Sequence, residues 1–193
     1  MTLVDVYLRG RLVILNNLKK KIITMTQEEK QLLLKDLSAR LLYSVKLKPV
    51  GLKHTIISYA TLKGISKDNN GDYHFEINDR DIDGNILSCG SFKLGRSSIT
   101  YLPCLRSLSS MRVGEILCLY KFFSGETCCL PEYTEEWGDF RTAIQNNELY
   151  IPSTCDGNKV KDGFDWLDSK YIDYRGLIPK GLALEATKGM YNF

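Results

Sequence analysis

The feature that most constrains the fold is a change of hydrophobic period near residue 43. Before it, Thr26 and Glu29 stand at the spacing of a capping box, where a hydroxyl accepts from a first-turn N–H and a carboxylate reaches back to the cap. Leu33, Leu34, Leu37 and Leu41 then make an apolar stripe, with Lys30, Lys35, Asp36 and Arg40 left to water. A helix is expected from about Gln27 to about Leu42. Beyond it Tyr43, Val45 and Leu47 alternate with Ser44, Lys46 and Lys48 until Pro49 and Gly51 break the run, which reads as a strand with one wet face.

The β pattern continues. Thr55 to Leu62 is rich in β-branched residues, and Asn70-Gly71 is a strong hairpin signal because both residues tolerate positive φ. Tyr73, Phe75 and Ile77 alternate with His74 and Glu76, pairing across that turn with a strand ending near Ile65. Further strands are expected at Ile86 to Leu94 and Ile99 to Leu102. Between Arg112 and Phe123 the continuous apolar run fits either a buried strand or a buried helix. Tyr133, Trp137, Phe140 and Ile144 sit at helical spacing, Leu149 to Ile151 reads as a short strand, and Ser153 to Gly163 as a polar loop. Helices gathered around a run of antiparallel strands imply an α+β fold, with a small antiparallel sheet or partly open barrel.

Near the carboxy end, Phe164, Leu167, Tyr171 and Tyr174 recur at helical steps, while Asp165, Asp168, Lys170 and Asp173 fall mostly off that stripe. Gly176 and Pro179 then mark a stop, and Gly181 a second turn. Aromatic and arginine side chains dominate protein interfaces, so Trp166, Tyr171, Tyr174 and Arg175 are the candidate partner-binding residues.

Charge is uneven along the chain. Residues 1–24 carry Arg9, Arg11, Lys19, Lys20 and Lys21 against Asp5 alone, whereas the whole chain has a net charge of +3. The leader's apolar runs are broken by charge and too short for a signal peptide or a membrane span. It is expected to be a basic arm, or a segment ahead of a natural start at Met25, with residues 25–193 forming a single α+β domain. Lys19, Lys20 and Lys21 are the candidate nucleic-acid contacts, through non-specific phosphate attraction. Residues 131–168, with nine acids against Arg141, Lys159 and Lys161, oppose that reading.

Asp79, Asp81, Asp83 and Asn85, with Gly84 at the sixth position, resemble the first half of a calcium loop, in which alternate carboxylates converge on a hard cation. The twelfth position, where a bidentate glutamate belongs, is Gly90. The six cysteines lack the close pairs that zinc requires and read as reduced thiols. His54 and His74 lie near adjacent expected strands without a motif around them. No catalytic residue and no cofactor is expected.

The block DWLDSKYIDYRGLIPKGLALEA, residues 165–186, closely resembles the carboxy terminus of a family of small uncharacterised proteins of gut bacteria and their phages. That family ends in a form such as DWLnahhFDYRGLIpKGLALEA, matched at Asp165, Trp166, Leu167, Asp173 to Ile178 and Lys180 to Ala186. The opening stretch TQEEKQLLLKDLSARL is similar too, as are Pro103, Leu105, Arg106 and Leu108 to Met111 to a family segment KPYLRPLSSM. Ser107 stands where that segment has its second proline, and the apolar RVGEILCLYKFF stands where the family is acidic and helical. The resemblance implies a cytoplasmic accessory protein of phage or mobile-element type. It carries no activity, cofactor or catalytic residue. Three functions follow as expectations: a non-enzymatic protein-interaction protein, a nucleic-acid-associated phage protein using the basic arm, and a metal-dependent enzyme using the Asp79 to Asp83 loop. The protein partner is unspecified, and no membrane partner is expected.

Overall fold

The computed structural model describes residues 25–50, 58–94, 100–125, 134–152, 155 and 157–191. The leader with Lys19, Lys20 and Lys21, and also His54, Cys128, Cys129 and Tyr133, lies outside the described residues. The fold is α+β, with an open sheet in the strand order β4 (Ile86–Lys93), β3 (Tyr73–Arg80), β2 (Tyr59–Lys67), β1 (Lys46–Val50), β5 (Thr100–Leu105), β6 (Leu184–Glu185). Chain contacts divide the described residues into two compact units, those up to 104 with 179–184 and those from 105 to 178 with 185–191. No helix among the described residues is long and apolar enough to cross a membrane.

In the first unit, α1 spans Gln27–Ala39 and starts as its capping box requires. The Glu29 N–H donates to Thr26 Oγ1 at 3.2 Å, and the Thr26 N–H donates to Glu29 Oε2 at 2.9 Å. Leu33 and Leu37 are fully buried. The helix stops earlier than its stripe suggests. Leu41–Tyr43 tighten into a 3-10 turn, and Ser44 at φ 53° swings the chain into β1, Lys46–Val50. Tyr43 is therefore not in the strand, and Pro49 is. The pairing of β1 with β2 ends at Leu47, so the ladder on that side does not reach the residue that lacks an N–H.

The strands β2 (Tyr59–Lys67) and β3 (Tyr73–Arg80) pair antiparallel from Tyr59 with Arg80 to Lys67 with Tyr73. Their turn is a three-residue loop. The Gly71 N–H donates to the Asp68 carbonyl at 3.0 Å and the Asp68 N–H to the Asp72 carbonyl at 2.9 Å. Gly71 takes φ 83° and Asn70 does not adopt positive φ, so a single left-handed residue closes the hairpin. Next come β4 (Ile86–Lys93), antiparallel to β3, and β5 (Thr100–Leu105), antiparallel to β1.

Although open, the sheet is curled. Tyr101 of β5 reaches over two intervening strands to donate its hydroxyl to Asp79 Oδ1 of β3 at 2.9 Å, and its ring lies 5.1 Å from that of Phe92. Phe92 in turn stacks on Phe75 at 5.1 Å. These residues, with Ile77, line the buried concave face.

The second unit is helical. The ambiguous apolar run is α2, Val113–Ser124, ended by Gly125 at φ 72°. Twelve residues of continuous helix bury Ile116, Leu119, Tyr120 and Phe123 at steps of three, one and three, a helical face rather than a strand. Next, α3 spans Glu135–Gln145 behind the Thr134 cap, and α4 spans Gly157–Ser169. Leu149–Ile151 is irregular rather than a strand. Tyr120 meets Trp137 and Phe140 edge-on at 5.3 Å each, and Phe123 meets Phe164 at 6.0 Å. Two residues, Leu184–Glu185, complete the sheet as β6.

The carboxy-terminal helix differs most from expectation. Helix α4 begins inside the stretch read as a polar loop and ends at Ser169, so Tyr171 and Tyr174 lie beyond it. Tyr171 adopts φ 58°. A long-range exchange sets this bend, since the Arg106 N–H donates to the Tyr171 carbonyl and the Asp173 N–H to the Arg106 carbonyl, each at 2.7 Å.

Candidate functional site

The block after α4 is organised by two buried carboxylates rather than by its aromatic stripe. Asp173 accepts the N–H groups of Leu177 and Ile178 at 2.8 and 2.7 Å, holding the turn that leads to Gly176 and Pro179. Asp168 accepts Arg175 Nη1 at 2.9 Å and the Tyr174 hydroxyl at 3.2 Å. The Arg175 guanidinium lies 4.2 Å above the Tyr174 ring, which leans on Phe164 at 5.0 Å. Tyr171 stacks on Tyr191 at 3.8 Å, and Trp166 leans on Phe122 at 6.1 Å. The four candidate partner-binding residues are thus half-buried and each is engaged within its own unit. They do not form one solvent-facing patch.

The calcium-like stretch is also committed to internal contacts. Asp79 is buried, accepting from Tyr101 and, at 2.7 Å, from the Ser88 hydroxyl. Burial first, and this bond second, push the Tyr101 phenol above its usual range. Asp81 accepts the Asn85 side-chain amide at 2.9 Å and its backbone N–H at 2.8 Å; the amide first and the N–H after it hold its carboxyl below the usual range. Asp83 is exposed in the turn. Asp79 faces the concave core while Asp81 closes a turn, so the ligands do not converge. Among the described residues, no three His, Cys, Asp or Glu side chains are grouped to hold a metal ion.

A polar cluster absent from the sequence reading gathers at the β2–β3 turn. Asp68 accepts Lys93 Nζ at 2.6 Å, faces His74 Nε2 at 3.0 Å, and caps the N–H groups of Asn70 and Asp72 at 2.9 Å each. Lys93 first, and His74 second, hold the Asp68 carboxyl well below the usual range; Asp68 in turn raises the Lys93 ammonium. These groups neutralise one another beside a shallow cleft of about 240 Å³ lined by Gln27, Lys30, Asp72 and Tyr73. The cluster fixes the turn.

One extended strand edge stands open among the described residues. The strand β4 lies at the end of the sheet order, so its outer side has no neighbouring strand among the described residues. Ile86 to Ser91 are all exposed, and only Phe92 turns inward. Ile82, at 82% exposure in the adjoining turn, stands with Ile86 at 52% and Leu87 at 40%. From Ile86 to Phe92 the strand has no charge and no proline, two devices that commonly protect an edge from pairing. A register shift between Asp79 and Arg80 leaves Leu87 unpaired and confines the regular edge to Ser88–Lys93. The uncharged run was readable from the sequence, but its edge position required the strand order. Cys89 is exposed on this edge, Cys118 is exposed on α2, and Cys104 is buried.

No family model matches the chain, and neither a curated protein nor a solved structure matches it.

Proposed function

We propose that this chain is a non-enzymatic cytoplasmic accessory protein, of phage or mobile-element type, that acts by binding another protein through its β4 edge. One observation carries the interaction: the uncharged, exposed outer edge of β4 beside the apolar trio Ile82, Ile86 and Leu87. An edge strand offers a ready ladder of backbone donors and acceptors, and an extended segment added to it gains main-chain hydrogen bonds while alternate side chains give selectivity. The occupant that fits is an extended, weakly charged segment whose β-branched or aromatic residues cover the three apolar side chains. The phage or mobile-element setting rests on the sequence resemblance alone, carried mainly by residues 165–186 and also by residues 26–41 and 103–111.

A genetically encoded photo-crosslinking residue replacing Cys89 in otherwise intact protein tests the interaction in host cells. The expected result is a crosslink to one protein, mapping to one extended segment and lost in Gly90→Pro, with the fold of that variant checked by circular dichroism. Crosslinks spread over many unrelated proteins, or unchanged by Gly90→Pro, would overturn it.

A further inference from the structure

A second surface, within the unit of residues 105–178 and 185–191, has a different chemistry. A cleft of about 310 Å³ opens between the Arg106 to Arg112 segment and the turn from Thr187 to Met190. Three cations line it, Arg106, Arg112 and Lys188, against the single carboxylate of Glu185. Behind it, Glu115 grips the Arg106 guanidinium in a fork at 2.8 and 2.9 Å and accepts the Arg112 N–H at 2.8 Å. Arg106 first among these contacts holds the Glu115 carboxyl below its usual range, so that charge is spent on fixing the cleft wall. Glu185 accepts the Ser107 hydroxyl at 3.1 Å.

What remains uncommitted is positive. Arg112 and Lys188 are exposed, and no ion pair ties either side chain among the described residues. In the turn, the Met190 N–H closes on the Thr187 carbonyl at 3.0 Å and Gly189 takes φ 82°. The N–H groups of Lys188 and Gly189 have no hydrogen bond among the described residues, and a Cβ at Gly189 would meet nothing within 4 Å. Two cations beside an open turn with unused backbone donors match the needs of an oxyanion, which binds through charge-assisted hydrogen bonds. The volume lies at the small end of ligand sites, about 300 Å³ and upward.

We infer that this cleft binds a small phosphate-type oxyanion, free phosphate or a phosphomonoester of small size, between Arg112, Lys188 and the Thr187–Gly189 turn. Glutamates 115 and 185 set its limits: with Arg106 neutralised by Glu115, an anion meets a net positive wall, whereas a cation meets repulsion from Arg112 and Lys188. The site is independent of the β4 edge.

Amide chemical shifts of the full chain, titrated with inorganic phosphate and separately with glycerol phosphate, test it against a sodium chloride series of matched ionic strength. The expected result is a saturable shift at Arg112 and Thr187 to Gly189 with at least one of the two phosphates. Arg112→Gln combined with Lys188→Gln, both at exposed positions, is expected to weaken it at least about tenfold, the loss of one charge-assisted hydrogen bond or more. Shifts reproduced by chloride, shifts retained in the double variant, or no saturable shift with either phosphate would each overturn the assignment.

Discussion

Arg175 lies across Asp168 as a fork, Nη1 at 2.9 Å from Oδ1 and Nη2 at 3.4 Å from Oδ2, with the Asp168 side chain 4% and the Arg175 side chain 13% exposed. The pair ties the segment beyond α4 back onto the helix, so what looked like a continued amphipathic helix is a bend pinned by an ion pair. Breaking a buried pair from one side leaves the other charge uncompensated, a much larger effect than the net value of the pair. Asp168→Asn is therefore expected to destabilise the protein by about 3 kcal/mol, measured by urea unfolding. Asp168→Leu with Arg175→Leu should recover a large part of that loss. A double variant as unstable as the sum of its two singles would deny the coupling.

Asp36 and Arg40 make the same argument at the end of α1, in a more deeply buried setting. Arg40 Nε and Nη2 donate to the two Asp36 oxygens at 2.9 Å each, and both side chains are 0% exposed. Asp36→Ala takes the forked carboxylate away from a fully buried guanidinium and is expected to cost about 3 to 5 kcal/mol. Replacing both by Leu and Met removes the desolvation along with the attraction, so that variant should unfold near the wild-type midpoint. Thermal and urea unfolding of the single and double variants decide this directly.

These two pairs also mark the limit of what the sequence could reveal. The capping box of Thr26 and Glu29, the Asn70-Gly71 hairpin and the helix of Trp137, Phe140 and Ile144 were legible because their determinants lie within a few residues of one another. By sequence Asp36 belongs to the wet face of its helix and Asp168 falls off the apolar stripe of its own; their buried partners become visible only with the fold. The end of α4 was missed because the Tyr171 bend is set by Arg106, far away in sequence. Asp79 followed the same pattern: a loop of alternating acids suggested a cation, and the curl of the sheet supplied Tyr101 instead. The candidate β4 edge was half legible, its neutrality in the sequence and its position only in the strand order.

Alkaline pH should loosen the sheet through Cys104. Burial pushes this thiol from an ordinary 9.0 up to about 11, opposed weakly by Lys48 and Lys46. The folded value lies above the unfolded one, so the stability held by the neutral thiol is complete below pH 9.0 and is lost as pH rises towards about 11. The expected decline is roughly 2 to 3 kcal/mol over that window. Tyr101, shifted in the same direction, extends the decline to higher pH. Unfolding midpoints measured across the window should fall in the wild type and fall less in Cys104→Ala; equal slopes would remove Cys104 as the cause.

Gly138 and Gly163 both sit inside helices of the second unit, and they should respond oppositely to alanine. In an unconstrained helix interior, glycine costs up to about 1 kcal/mol relative to alanine, because it surrenders more backbone entropy on folding. A Cβ on Gly138 would meet nothing within 4 Å, so Gly138→Ala is expected to stabilise by about 1 kcal/mol. At Gly163 the same atom would fall onto the Phe123 ring, which is fully buried and wedged between Phe140 and Phe164. That ring cannot withdraw without disturbing both neighbours, and overpacking of this kind typically costs about 1 to 3 kcal/mol. Gly163→Ala should therefore destabilise despite its better helix propensity. Gly163→Ala combined with Phe123→Leu, which vacates part of the ring's space, should be less unstable than the two single effects added together. Additive losses in that cycle would mean that the close approach of α2 and α4 is not what requires the glycine.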